Sequence, residues 1–339
     1  MKLYAAIDLH SNNSVLVILD ERDRVVYERR LPNVLPAILN ELKPHRKKVQ
    51  GIAVESTYNW YWLVDGLMDA GYSVKLVNTA AVKIYDGMKY SGDEHDARHL
   101  AHLLRLGILP TGYIYPKKER AVRDLLRKRA QLVRCRTAQI LSIQNLVSRN
   151  SGHGIAANDI RQLDEGTIEE LCDGDQIRML AVQSNLTVLR CLDEQIHELE
   201  LVVLKQAKLK PQFEKLLSVD GIGNILGMTI MYEAGEMGRF AKVGQFASYA
   251  RCVSSSRWSN GKKKGEGNRK NGNKYLSWAF MEAANFAIRY NERIRAFYQR
   301  KQAKTHRVVA LKTVAHKLAR ACYHVLTDQV EFDLARAFA

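Results

Sequence analysis

Proline, cysteine and long apolar runs are all scarce in this chain of 339 residues. Only 6 prolines occur, none of them between residues 117 and 210, so that stretch is free to form long helices. The 5 cysteines, Cys135, Cys172, Cys191, Cys252 and Cys322, are odd in number and widely spaced, with no CxxC pair. That pattern argues against a disulfide framework or a thiolate metal site and for a reduced, cytoplasmic protein. No run of about 18 apolar residues is present, so no membrane span is expected. The opening MKLYAAIDLH carries an acid where a signal peptide would keep its apolar stretch. No internal repeat or extended low-complexity tract occurs.

Acidic residues are also in deficit. Lys and Arg number 52 against 36 Asp and Glu, a formal charge of +16. An excess of this size favours a polyanionic partner, nucleic acid ahead of an anionic membrane surface. The chain is long enough for two or three domains.

The first hundred residues read as α/β. LYAAID (3 to 8), SVLVILD (14 to 20) and VVYERRL (25 to 31) are short β-prone runs separated by polar turns. VQGIAVE (49 to 55) reads as a buried strand, residues 58 to 70 have helical periodicity, and YSVKLVN (72 to 78) is another strand. Three meandering strands followed by β-α-β is the order of a ribonuclease H-like fold, expected over residues 1–115.

Beyond it the period changes. Val122, Leu126, Leu132, Ile140, Ile143 and Val147, then Leu186, Leu189, Leu192, Ile196, Leu199 and Val203, recur at helical intervals. They predict two long helices over 116–208, joined through the SGHG turn and a shorter helix. Such narrow seams serve either a dimeric coiled coil or packing within one chain. A third, mainly helical region is expected over 209–339, with helices near 275 to 302 and 307 to 327. The expected class is therefore α/β plus all-α.

Four carboxylates stand out. Asp8 and Glu55 each follow an apolar strand, so adjacent pairing of those strands brings both to one end of a sheet. Asp93 and Asp96 open the amphipathic DARHLAHLLRL segment about one turn apart on the same face. Four such oxygen ligands suit two Mg²⁺ ions, or Mn²⁺, about 4 Å apart, as in phosphodiester chemistry. Against this, Asp93 and Asp96 also suit a helix N-terminus, and Asp8 a turn. His95, His99 and His102 on the same helix raise zinc as an alternative, without a matching fourth ligand.

The stretch SSSRWSNGKKKGEGNRKNGNK (254 to 274) sets Arg257, Lys262, Lys263, Lys264, Arg269, Lys270 and Lys274 against Glu266 alone. That density signals phosphate binding, and Trp258 adds a ring able to stack on a base. Ser259 is a candidate nucleophile held among cations, with Ser254, Ser255 and Ser256 competing. A solvated, disordered loop without a catalytic serine is the alternative. Gly221 and Gly223 in the GIG turn resemble a helix-hairpin-helix, whose amides bind DNA phosphate. An ordinary tight turn between packed helices would look the same.

Taken together, AAIDLH, AVEST, GDEHDARHL, SVDGIGNILG and SRWSNGKKKGEGNRKNGNKYL, in this order, resemble the DEDD-type insertion-sequence transposases related to the Piv DNA invertase. The better understood members are bridge-RNA-guided recombinases. The resemblance spans nearly the whole chain. It implies a RuvC-like domain whose four acids are Asp8, Glu55, Asp93 and Asp96, with Ser259 as the nucleophile. It also implies a Mg²⁺-dependent recombinase acting on donor and target DNA through a serine-DNA intermediate. A guide RNA partner is implied too, as is a homodimer that pairs into a tetramer and shares its site between subunits. Where many relatives carry Gly-Leu-x-Pro, this chain reads Arg251, Cys252, Val253, Ser254. A RuvC-like structure-specific nuclease using water, and a non-enzymatic basic nucleic-acid-binding scaffold, are the other readings of the same residues.

Overall fold

The computed structural model describes residues 1–82, 93–253, 256–266 and 271–338; the side chains of residues 93, 94, 256–258, 263 and 266 lie outside that description. The chain divides into two compact units, Met1–Lys117 and Lys118–Ala339. The two regions expected over 116–208 and 209–339 thus fall in one unit.

The first unit is built on a five-stranded sheet. Strands β1 (Leu3–Leu9), β2 (Asn13–Asp20) and β3 (Val25–Pro32) form an antiparallel meander. β4 (Val49–Glu55) then pairs parallel with β1, and β5 (Val74–Val77) parallel with β4. The resulting order is β3-β2-β1-β4-β5. The central strands are apolar on both faces because helices cover both. Leu3, Ala5, Ile7 and Leu9 of β1 pack with Ile52 and Val54 of β4 against α1 (Leu35–Leu42) and α2 (Tyr61–Asp69). The alternate residues Ala6 and Ala53, with Val15, Val17 and Val77, pack against Ala97, Leu100 and Ala101 of α4 (Asp93–Arg105). A one-turn helix, α3 (Thr79–Val82), follows β5. Period-two alternation thus sorts the buried apolar residues of β1 and β4 onto one helix layer or the other.

The second unit opens on a helical hairpin. α5 (Lys117–Ser151) leads through α6 (Ala157–Arg161) and α7 (Glu165–Leu171) to α8 (Gln176–Ala207). Two short helices therefore stand where one was expected. Ile140, Ile143 and Val147 of α5 share a buried cluster with Val182, Leu186 and Leu189 of α8. Ile140, Ile143, Val147, Leu186 and Leu189 of the expected seams are thus buried together with α6 and α7 within one chain. Arg136 donates to Asp193 at 2.7 Å and Arg129 to Glu200 at 2.7 Å, tying the hairpin arms outside the seam.

A larger helical core follows, made by α9 (Pro211–Leu217), α10 (Asn224–Ala234), α11 (Val243–Tyr249), α12 (Lys274–Tyr290), α13 (Glu292–Gln302), α14 (Arg307–Asp328) and α15 (Leu334–Ala337). Ala279, Ala283, Ala284 and Ala287 line the buried face of α12 and let its neighbours approach closely. Between α11 and α12 lies a β-hairpin, β6 (Ser256–Ser259) and β7 (Lys262–Glu266), where the composition had pointed to a loop. No described helix is long and apolar enough to cross a membrane.

Candidate active site

Asp8 is the penultimate residue of β1 and Glu55 the last of β4. The two strands pair in parallel up to Ile7 and Val54, so both carboxylates follow directly at the same, carboxyl, end of the sheet. By alternation Asp8 lies on the face of Ala6 and Glu55 on that of Ala53, the face that α4 covers. Asp96 precedes Ala97, which packs onto that face, and so sits in the first turn of the covering helix. The sheet thus brings Asp8 and Glu55 to the face that α4 covers, and Asp96 belongs to that covering helix. Among the described residues, no three His, Cys, Asp or Glu side chains are grouped closely enough to hold a metal ion. The side chain of Asp93, the fourth acid, lies outside the described residues.

Asp8 is 2% exposed and its Oδ2 lies 3.3 Å from Nε2 of His10. The backbone that follows is braced from two sides. Asn33 Nδ2 and Asn59 Nδ2 each donate to the His10 carbonyl at 3.0 Å. Asn33 in turn accepts from Ser14 Oγ at 2.5 Å, and Asn59 from Thr57 Oγ1 at 2.8 Å. Loops after β3 and β4 therefore fix the exit of β1 and with it Asp8. The sequence reading missed His10, Asn33 and Asn59. Asn59 follows Glu55 within AVESTYN, but its partner is 49 residues away and no local spacing reveals it.

Among the described residues, the α4 histidines are not gathered with other Cys, His, Asp or Glu side chains into a group able to hold a metal ion. His99 is buried, His95 is exposed, and His102 Nδ1 lies 3.0 Å from Asp23 Oδ1. Arg105 also binds Asp23, at 2.7 and 2.5 Å. Burial opposes ionisation of Asp23, but the hydrogen bonds from Arg105 and His102 outweigh it and hold this carboxyl below its usual range. Arg98 makes a second forked pair with Glu28 of β3, at 2.5 and 2.8 Å. These pairs anchor the exposed side of the helix that carries Asp96.

In the second unit Ser259 is exposed at the tip of the β6–β7 hairpin, directly opposite Lys262. The two turn residues, Asn260 and Gly261, have φ of 50° and 70°. Such left-handed pairs suit the right-handed twist of a two-residue hairpin, and Asn-Gly is the sequence that adopts them most readily. Trp258 pairs in register with Lys263, and Arg257 with Gly265. Lys262 and Lys264 are exposed, as is Lys274 at the start of α12. Ser254, Ser255, Arg269 and Lys270 lie outside the described residues.

The base of the hairpin segment is closed by Arg251, which donates to the carbonyls of Asn271 at 2.9 Å and Gly272 at 3.1 Å. Asn273 then caps α12, its Oδ1 accepting from the amides of Tyr275 and Leu276. Its Nδ2 donates to Glu233 at 2.7 Å, and Glu233, 1% exposed, accepts a forked pair from Arg127 at 2.6 and 2.8 Å. This buried chain links α5, α10 and the start of α12, and it too was missed. Its signal was the lone acid in the otherwise apolar NILGMTIMYEA helix. Cys252, near the hairpin in sequence, is no rival nucleophile, because burial pushes its thiol up to about 12.

Gly221 occupies the turn between α9 and α10 with φ of 84°. A Cβ there would stand 2.2 Å from the Ala283 carbonyl oxygen, so its lack of a side chain lets the turn rest on α12. Gly223 precedes α10 with open space around its Cα.

Fold and site together define a basic protein of two units, one presenting carboxylates at the end of a mixed sheet and the other an exposed serine among lysines. A DEDD transposase domain of the IS110 type matches residues 5–150, and a transposase domain described as IS116/IS110/IS902 family matches residues 213–299. A protein of Pseudomonas aeruginosa named "Probable family 20 transposase" is 25% identical over 291 residues, covering 82% of this chain and 84% of the relative. The chain belongs to the IS110/IS116/IS902 family of transposases, enzymes of DNA recombination. The DEDD domain suggests a RuvC-like fold for the sheet and use of a divalent metal ion.

Proposed function

We propose that this transposase exchanges DNA strands through a covalent serine-DNA intermediate, with Ser259 as the nucleophile. The observation that carries the reading is the exposed tip position of Ser259, opposite Lys262, within a hairpin closed at its base by Arg251. The Ser259 hydroxyl oxygen attacks the phosphorus, the bond from phosphorus to the 3′ oxygen breaks, and the hydroxyl proton ends on the freed 3′ oxygen. A 3′-hydroxyl then attacks the phosphoserine, the new phosphodiester forms, and Ser259 regains its proton. Lys262, Lys264 and Lys274, with Arg257, Lys263, Arg269 and Lys270, hold the strand by its phosphates, and Trp258 supports a base.

Asp8, Glu55, Asp93 and Asp96 are assigned as ligands for Mg²⁺, with Mn²⁺ a substitute. Their all-oxygen chemistry fits a hard divalent cation, and the position of Asp8 and Glu55 at the ends of two paired strands supports the reading. When bound, the metal would stabilise charge at the reacting phosphate. Asn33 and Asn59 hold the Asp8 segment through the His10 carbonyl.

The three-region division, with a RuvC-like part to about residue 115, a coiled-coil part to about 208 and a helix-hairpin-helix transposase part beyond, belongs to this reading. So do a guide RNA and assembly of a homodimer into a tetramer. Exposed Ile177, Leu180, Leu201 and Val202 on α8 support contact between copies. Incubation with donor DNA and Mg²⁺, followed by denaturing electrophoresis, is expected to show a protein-DNA adduct that Ser259→Ala abolishes. Cut ends with no adduct in the parent protein would overturn the serine mechanism in favour of water as the nucleophile.

A further inference from the structure

The second unit carries a groove that the serine chemistry does not use. It measures about 530 Å³ and is lined by the turn Val219–Gly223, the start of α10, and Phe286 and Tyr290 of α12. Pockets of roughly 300–1,000 Å³ hold ligands of small-molecule size, which includes one nucleobase.

Its most telling feature is the aromatic pair. Phe286 and Tyr290 lie one helical turn apart with ring centroids 6.5 Å apart and planes within 7° of parallel. Both are exposed, Tyr290 at 74%, so the rings are not part of the core. Two parallel, water-facing rings beside a groove form a surface on which a flat base can stack. Arg289, exposed and three residues beyond Phe286, adds a cation on the neighbouring surface of α12 for a phosphate.

Asp220 shapes the selection further. Its carboxylate lines the groove, with Oδ2 accepting from Asn291 Nδ2 at 3.0 Å. A carboxylate inside the groove repels phosphate, so the uncharged base is the part of a strand that fits there. A base in a duplex is already stacked and paired, and only an unpaired one presents its face. The chain belongs to a family that acts on DNA, and any separation of duplex strands exposes unpaired bases.

We propose that the groove between the 219–223 turn and α12 binds an unpaired base of single-stranded DNA by stacking on Phe286 and Tyr290. The proposal rests on the family's action on DNA and is independent of Ser259. The test uses the full chain and short fluorescein-labelled oligonucleotides: single-stranded DNA, duplex DNA and single-stranded RNA of matching sequence. Base stacking on an aromatic side chain is strong enough that Phe286→Ala with Tyr290→Ala should weaken single-stranded DNA binding about tenfold or more. Duplex binding should hold within about twofold, and Tyr290→Trp should retain affinity. A 2-aminopurine base in the strand should be quenched by the parent protein and not by the double variant.

Equal loss on single and double strands would overturn the proposal, assigning the rings to general binding or folding. Unchanged single-stranded affinity overturns it as well, and so does an effect confined to RNA. The groove is read from equilibrium binding of oligonucleotides without Mg²⁺, and the serine mechanism from the covalent adduct. Failure of the serine mechanism and failure of the groove are thereby read separately.

Discussion

The acidic end of the sheet and the serine hairpin are built on opposite principles. Asp8 and Glu55 are placed by a core: each continues a strand whose alternate residues are buried between helices. Ser259 is placed by a turn and by a clasp of polar groups at the hairpin base, with its surroundings exposed. A core-placed group is rigid because moving it disturbs the packing of a whole layer. A turn-placed group sits at the low-stability end of the molecule, where a strand of DNA can reach it.

The contrast is tested most severely at Asp8. Asp8→Ala should lower strand cleavage by on the order of 10²–10³-fold or more while circular dichroism stays that of the parent, measured with Mg²⁺ present. Loss of the folded signal instead would show that this acid serves the sheet and not the chemistry.

Next in size is Glu233, which couples the hairpin's neighbour α12 to α5. Glu233→Ala removes the buried carboxylate that Arg127 and Asn273 share, and urea denaturation should show a loss of about 1–3 kcal/mol. A change below about 1 kcal/mol would mean that the pair is not stabilising the helical core.

Gly261→Val is expected to act on the hairpin alone. A β-branched residue at φ of 70° costs about 1–2 kcal/mol locally. Adduct formation should fall while the urea midpoint moves little, and an unaltered adduct yield would show that the turn does not position Ser259.

The smallest effect is expected from acid. Asp23 is held below its usual range, so the stability it gives the α4 anchor is complete above the unfolded carboxylate value of about 3.9 and is lost as pH falls through its lower folded value. Melting curves between pH 5 and pH 2 should show Asp23→Asn losing less on acidification than the parent.

The same contrast decided what the sequence could reveal. The strand order and the relation of Asp8 to Glu55 were legible because apolar alternation reports a core directly, and the five strands lie close to where the pattern put them. The hairpin was hidden because lysines and glycines obscure any alternation, and a two-stranded ribbon in solvent needs none. The Asn-Gly pair at 260 and 261 was the available sign of a turn, outweighed by the surrounding charge. Bracing groups such as Asn33, Asn59 and Asn273 act across long sequence separations, and spacing alone carries no record of them. The GIG motif suggested phosphate contact, whereas Gly221 is also explained by the close approach of the turn to α12.

Both borders of the first sheet are guarded. On one side β3 carries Glu28, Arg29 and Arg30, whose side chains are tied to Arg98, Glu41 and Asn13. On the other, the returning chain bridges Thr111 to Val77 and donates from Gly112 to the Leu76 carbonyl at 2.7 Å. Charge blunts one border and backbone hydrogen bonding occupies the other, so neither offers an open template for a foreign strand. Crowded at high concentration, this unit should resist the edge-to-edge stacking that leads β-proteins into fibres.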